Sequence, residues 1–149
     1  MIKISTKGRY GTLLMLNLAL HYNKRNKPVI LRNVSEDEEI SLRYLEQIIA
    51  PLKINSLVKS VRGAGGGYTL AKHPSKIKLK EIIEVLEGPI CLVDCVDDSD
   101  YCHRIPICAA HEIWKKTTFL LRDYFKTISL QDLIEISKKK NPNVCKQVL

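Results

Sequence analysis

Four of the five cysteines in this 149-residue chain fall between positions 91 and 108, and a histidine follows at 111. Cys95, Cys102, Cys108 and His111 are separated by six, five and two residues. Thiolates and imidazole are ligands of soft and borderline metals, so three sulfurs and one nitrogen could converge on a single metal centre. His111 comes one helical turn after Cys108, which sends its ring to roughly the same side. Structural zinc sites usually bring cysteines in Cys-x-x-Cys knuckles, and this segment has none. Wider spacing suits a cluster whose irons lie apart, with thiolates as its usual ligands. Cysteines also occur singly as small buried hydrophobes. Three of them in a segment carrying Asp94, Asp97, Asp98 and Asp100 do not fit that reading. Cys91, beside Gly88-Pro89-Ile90, reads as packing and Cys145 as incidental; His103, adjacent to Cys102, would point away from its neighbour's partner, while His21 and His73 read as surface residues.

Such a ligand set needs elements to carry it. Residues 91–108 show no periodicity and contain Pro106, which makes them a long loop, and loops of that length are functional or disordered. Ahead of the loop, Ile82, Ile83 and Leu86 mark a helix from about Leu79 to Glu87, stopped by Gly88-Pro89. Behind it, Ile113, Thr117, Leu120, Leu121 and Tyr124 mark a long amphipathic helix to about Lys126. Ser129 and Asp132 can form a capping box for a last short helix through Ile136, after which Lys138-Lys139-Lys140 and the tail read as solvated. The long helix stands apart from the rest and must bury its apolar face somewhere; pairing with its twin in a homodimer would do so.

The first half of the chain follows a different plan. Ser5 or Thr6 can cap a helix with Tyr10, Leu13, Leu14 and Leu18 at helical spacing, ending near His21 before the polar Asn23 to Pro28 stretch. A short helix from about Leu31 to Glu38 is followed within two or three residues by another beginning at Ser41, with Leu45, Ile48, Ile49 and Leu52 on one face. Pro51 should bend its last turn. That pairing is the pattern of a helix-turn-helix. Strands at Leu57–Arg62 and Gly67–Leu70 then flank Gly63-Ala64-Gly65-Gly66, a hairpin whose glycines permit positive φ. The order predicts a mainly α fold with a small β-hairpin: a winged helix-turn-helix domain over residues 1–75, then residues 76–149 with the cysteine loop, a dimerisation helix and a tail.

In that architecture the second helix of the pair enters a major groove, where Ser41, Arg43, Tyr44 and Gln47 can reach base edges or phosphates. Arg62 stands at the edge of the hairpin, with Gly65 at its tip, placed to probe a narrow minor groove. Lys7 and Arg9 open the first helix and could grip phosphate. Charge agrees, since 24 Lys and Arg against 16 Asp and Glu leave a formal +8 that favours a polyanionic partner such as double-stranded DNA. The glycine run is no phosphate-binding loop of the nucleotide type, because no Lys-Ser or Lys-Thr follows it and a strand-like Tyr-Thr-Leu does. No paired carboxylates or nucleophile with a base at readable spacing suggest an enzyme. No apolar run has the length of a membrane span, and residues 1–5 lack the apolar stretch of a signal peptide, so the expected location is the cytoplasm.

Ile4-Ser5-Thr6-Lys7-Gly8-Arg9-Tyr10, Ile40-Ser41-Leu42-Arg43-Tyr44-Leu45-Glu46-Gln47 and Val61-Arg62-Gly63-Ala64-Gly65-Gly66-Gly67-Tyr68 together resemble the Rrf-type winged-helix regulators, a likeness reaching to about Ile134. The start of the chain and Val85-Leu86-Glu87-Gly88-Pro89-Ile90 are similar to the CymR branch, which governs cysteine metabolism and lacks the cysteine triplet. The triplet with His111 resembles the IscR branch, which governs iron-sulfur assembly and holds a [2Fe-2S] cluster on three cysteines and a histidine. The resemblance therefore implies Cys95, Cys102, Cys108 and His111 as cluster ligands. Cys91 remains an alternative to Cys95, because six residues separate the first two ligands here and five in IscR. It also implies DNA contact by Ser41, Arg43, Tyr44 and Gln47, a selectivity role for Glu46, and Arg62 in the minor groove. The NsrR branch, a nitric oxide sensor, takes a [4Fe-4S] cluster with an aspartate ligand near the N-terminus, where this chain has Lys7-Gly8-Arg9. The implied function is a dimeric DNA-binding repressor of iron-sulfur assembly genes. Its rivals are a [4Fe-4S] nitric oxide or iron sensor, and a cluster-free thiol regulator of the CymR kind acting through a partner enzyme.

Overall fold

The first helix, α1 (Thr6–Tyr22), begins where Ser5 can satisfy its free amides: the Ser5 hydroxyl accepts from the Gly8 amide at 3.3 Å and its carbonyl from the Arg9 amide at 3.0 Å. The computed structural model describes residues 3–22 and 27–143, which leaves Cys145 and part of the Asn23 to Pro28 stretch outside the described residues. Leu14, Met15, Leu18 and Ala19 of α1 are buried, and the helices over Leu31–Glu38, Leu42–Ile54, Leu79–Glu87 and Leu130–Lys140 pack against this helix together with the hairpin. Among the described residues there are six α-helices and a two-stranded sheet, the mainly helical winged arrangement that the sequence predicts. No helix among them is long and apolar enough to cross a membrane.

The helix-turn-helix is formed by α2 (Leu31–Glu38) and α3 (Leu42–Ile54). Between them Glu39 adopts the left-handed conformation at φ 54°, and the Ile40 amide returns to the Ser35 carbonyl at 3.2 Å, which tucks Ile40 into the core. Beneath the turn lies a polar cluster. The buried Asn17 amide donates to Glu38 Oε1 at 3.3 Å, and Asn17 Oδ1 has no partner; burial pushes the Glu38 carboxyl above its ordinary range. Helix α3 continues through Pro51 to Ile54, with Leu45, Ile48, Ile49 and Leu52 all buried.

Strands β1 (Val58–Val61) and β2 (Gly67–Leu70) pair antiparallel, Val58 opposite Leu70 and Val61 opposite Gly67. Val29 joins the free edge of β2 by two 2.8 Å hydrogen bonds with Tyr68. Gly67, at φ 153°, is required there, because a side chain would collide with the Val29 carbonyl. Helix α4 (Leu79–Glu87) then covers α1 and α3 with Ile82, Ile83 and Leu86 inward.

Helix α5 (Ala109–Thr127) packs along α4 but leaves most of its surface open, with only His111 and Thr118 buried among its nineteen residues. The chain returns in α6 (Leu130–Lys140), which plants Leu130 and Ile134 against α1; the Ser129 amide and hydroxyl both donate to Asp132, at 2.7 and 2.6 Å, the capping box expected there. This helix runs four residues beyond the expected end at Ile136. Lys138, Lys139 and Lys140 form its last turn, where cations complement the helix dipole. The 91–108 segment is also less irregular than expected, since it contains 3-10 turns at Asp94–Val96 and Ile105–Ile107.

Candidate nucleic-acid interface and cysteine loop

At the front of α3, Ser41 is the N-cap, its hydroxyl accepting from the Tyr44 amide at 3.3 Å. Arg43, Glu46 and Gln47 are exposed, on the side away from the buried Leu45, Ile48, Ile49 and Leu52. Tyr44 is half-buried, and its ring meets Tyr10 edge-to-face at 5.9 Å. The Arg9 guanidinium lies 5.9 Å from the Tyr10 ring centre, so Tyr10 ties the front of α1 to the front of α3. Arg9 is exposed and Lys7 half-buried on that same first turn. The sequence marks Tyr10 only as a core position, and its bridging role depends on a crossing between helices that no local pattern encodes.

In the wing, Arg62 is exposed and precedes a turn closed by the Gly66 amide on the Gly63 carbonyl at 2.9 Å. Gly63 and Gly65 hold φ of 103° and 76°, which side chains rarely adopt. The hairpin tip is therefore narrow and free of bulk, and exposed Lys59 and Arg62 flank it with positive charge.

The loop cysteines Cys91, Cys95, Cys102 and Cys108 are free thiols, each half-buried. Cys95 sits in the first 3-10 turn, Cys108 caps α5, and His111 lies in the first turn of α5 with 6% exposure. Among the described residues no three His, Cys, Asp or Glu side chains stand close enough to hold a metal ion, so the loop does not gather Cys95, Cys102, Cys108 and His111 into one ligand set here. Their chemistry nonetheless fits a cluster. His111 Nδ1 is buried with no hydrogen-bond partner, and leaving such a group unsatisfied costs about 1–3 kcal/mol, which a ligand bond would relieve. Cys91 differs from the other thiols. Its S–H donates to the Val93 carbonyl at 3.0 Å, and burial, the largest effect, pushes its thiol pKa up. It lines a cavity of about 380 Å³ with Ile4, Ile83, Pro89, Leu121 and Phe125.

Two residues of α5 hold the start of the loop, and the sequence offers no sign of either. Arg122 donates through Nε to the Ile90 carbonyl and through Nη2 to Asp97 Oδ2, both at 2.6 Å. The hydrogen bond from Arg122 holds the Asp97 carboxyl below the usual carboxylate range. Thr118, fully buried, accepts from the Leu92 amide at 3.3 Å. These contacts join residues 25 to 32 positions apart, beyond the reach of helical periodicity.

Comparison with known proteins places these features in context. Residues 4–136 match the profile of the family described as Rrf2, iron-dependent transcriptional regulator. The chain is 40% identical over 133 residues to a putative HTH-type transcriptional regulator, ORF2, of Azotobacter vinelandii, covering 89% of this chain and 79% of that one. It is 38% identical over 132 residues to the HTH-type transcriptional regulator CymR of Bacillus subtilis (strain 168), covering 89% of each. The structure of B. subtilis CymR, the global cysteine regulator, superposes with a TM-score of 0.77 at 37% identity, covering 91% of this chain and 98% of that one. The structure of T. potens IscR gives the same TM-score at 36% identity, covering 94% and 91%.

Proposed function

Since this chain belongs to the Rrf2 family of transcriptional regulators, we propose that it binds operator DNA as a homodimer and links that binding to a [2Fe-2S] cluster on Cys95, Cys102, Cys108 and His111. The observation that carries the cluster reading is the buried, partnerless Nδ1 of His111, in the first turn of α5 just beyond Cys108 and next to a loop whose four cysteines are free thiols. When bound, the cluster would supply a redox-active, iron-dependent centre whose presence reports iron or oxidant status. The chain's own part is positional: Arg122 and Thr118 fix the loop's start on α5, and Cys108 leads directly into that helix.

For DNA, Ser41, Arg43, Tyr44 and Gln47 would face the major groove, Glu46 would modulate selectivity, and Arg62 with the Gly65 tip would enter the minor groove. Lys7 and Arg9 would contact phosphate. The second copy would cover the outer face of α5, where Ile113, Leu120 and Tyr124 are more than half exposed. On this reading the dimer represses iron-sulfur assembly genes.

A cluster-free thiol regulator is the second reading, favoured by the separation of the loop thiols and by the likeness to CymR. Anaerobic purification with iron and sulfide counts separates the readings. The cluster reading predicts visible absorbance with about two irons per chain, altered in His111→Ala. About four irons would move the assignment to a [4Fe-4S] centre, and a colourless protein after reconstitution would leave the thiol reading.

A further inference from the structure

Glu87 ends α4, yet its carboxylate serves α1. The Ser5 amide and the Ser5 hydroxyl both donate to Glu87 Oε1, each at 2.9 Å, while the Ser5 hydroxyl accepts from the Gly8 amide. A carboxylate at the C-terminus of its own helix is disfavoured by that helix's dipole, but here it faces the positive end of α1, where it is favoured. Gly8 is part of the fit, since any side chain there would overlap the Glu87 carboxylate. Lys7 and Arg9 stand on the turn that this carboxylate fixes, two and four residues after Ser5. Only Gly88, Pro89 and Ile90 separate Glu87 from Cys91, and Arg122 grips the Ile90 carbonyl, so Glu87 sits where the cysteine loop meets the DNA-binding unit.

We propose that Glu87 is a positioning residue for DNA binding: by holding Ser5 it sets the first turn of α1 and with it the grip of Lys7 and Arg9 on phosphate. The inference rests on the DNA reading above. Charge alone predicts the opposite effect of removing Glu87, because taking an acid from a phosphate-facing region strengthens attraction to DNA. Positioning predicts weaker binding and a specific change in salt dependence, since each neutralised phosphate contributes about 0.9 to the slope of log affinity against log salt.

The test uses the full chain and a duplex selected from a random library by the wild-type protein, with affinity measured across salt concentrations and melting temperatures measured alongside. Glu87→Ala should bind more weakly, with a slope flatter by about 0.9 for each phosphate no longer neutralised. Glu87→Gln, whose amide oxygen still accepts both bonds, should keep the wild-type slope. Ser5→Ala breaks the side-chain bond from the other end and should flatten the slope as well, which keeps the test intact if Glu87→Ala folds poorly. In a Lys7→Ala/Arg9→Ala background, Glu87→Ala should add nothing. A lowered melting temperature with an unchanged slope, or binding as tight as wild type, would overturn the inference and leave the DNA reading standing. An unchanged slope in Lys7→Ala/Arg9→Ala itself would remove the phosphate role of that pair and the inference with it.

Discussion

Asn17, buried, and Glu38, half-buried, form a polar contact under the helix-turn-helix. Burial raises the Glu38 pKa, so the folded state holds this proton more tightly than the unfolded chain. Its contribution to stability is fully present below the ordinary Glu pKa and is lost as pH rises through the raised folded value. Glu38→Gln keeps the shape, removes the charge and brings an amide that can donate to the orphaned Asn17 Oδ1. Its melting temperature should exceed that of wild type at about pH 7 and converge with it at about pH 3, below the ordinary Glu pKa of about 4.3; a variant less stable at neutral pH would show that the charge is needed. Neither the Asn17–Glu38 pair nor the Arg122–Asp97 pair was legible in the sequence, because a polar residue at a helical position looks solvated until the packing partner is known. Residue type and spacing group Cys95, Cys102, Cys108 and His111 in the sequence, but whether they converge depends on the path of the loop between them, and the described residues do not bring them together.

Helix boundaries were the most legible elements, because caps and breakers act within a few residues. Ser41, Ser129 with Asp132, and Gly88 with Pro89 stop and start helices where their chemistry requires. The end of α6 was not legible from apolar periodicity, which stops at Ile136, whereas the helix continues on the favourable match of three lysines to its C-terminal dipole. The 3-10 turns of the cysteine loop escaped for a related reason: they are held by local backbone bonds such as Ile107 amide to Arg104 carbonyl, which leave no hydrophobic period. Helix α5 was legible as amphipathic, and its apolar face remains open in the single chain, with Leu120 at 70% exposure. Covering such a side chain is worth about 1.5–3 kcal/mol, so a charge placed there should oppose association. If α5 pairs as proposed, wild type should sediment as two chains and Leu120→Glu as one at the same concentration, with helical content unchanged. A dimer that survives this substitution would place the interface elsewhere.

Across the whole molecule, the helix-turn-helix and wing lie on one part of the α1-centred core, and the cysteine loop is joined to that core through α4 on one side and α5 on the other. The excess of positive charge, a formal +8, suits the polyanion that such a surface would meet. It does not identify which lysines and arginines touch DNA, which is why charge and fold were legible early and the contacts were not. A loop anchored to α5 and following α4, whose Glu87 holds Ser5, would give a change in the loop a short physical path to the turn proposed to face DNA. The direct measurement is the affinity of the iron-loaded and iron-free forms, prepared from the same anaerobic protein, for one selected duplex at fixed salt. The two forms should differ by about tenfold or more, a coupling within the usual range of about 1–3 kcal/mol between linked sites, and His111→Ala should abolish the difference. Equal affinities in both forms, with iron bound at full occupancy in one of them, would contradict a link between the cysteine loop and DNA.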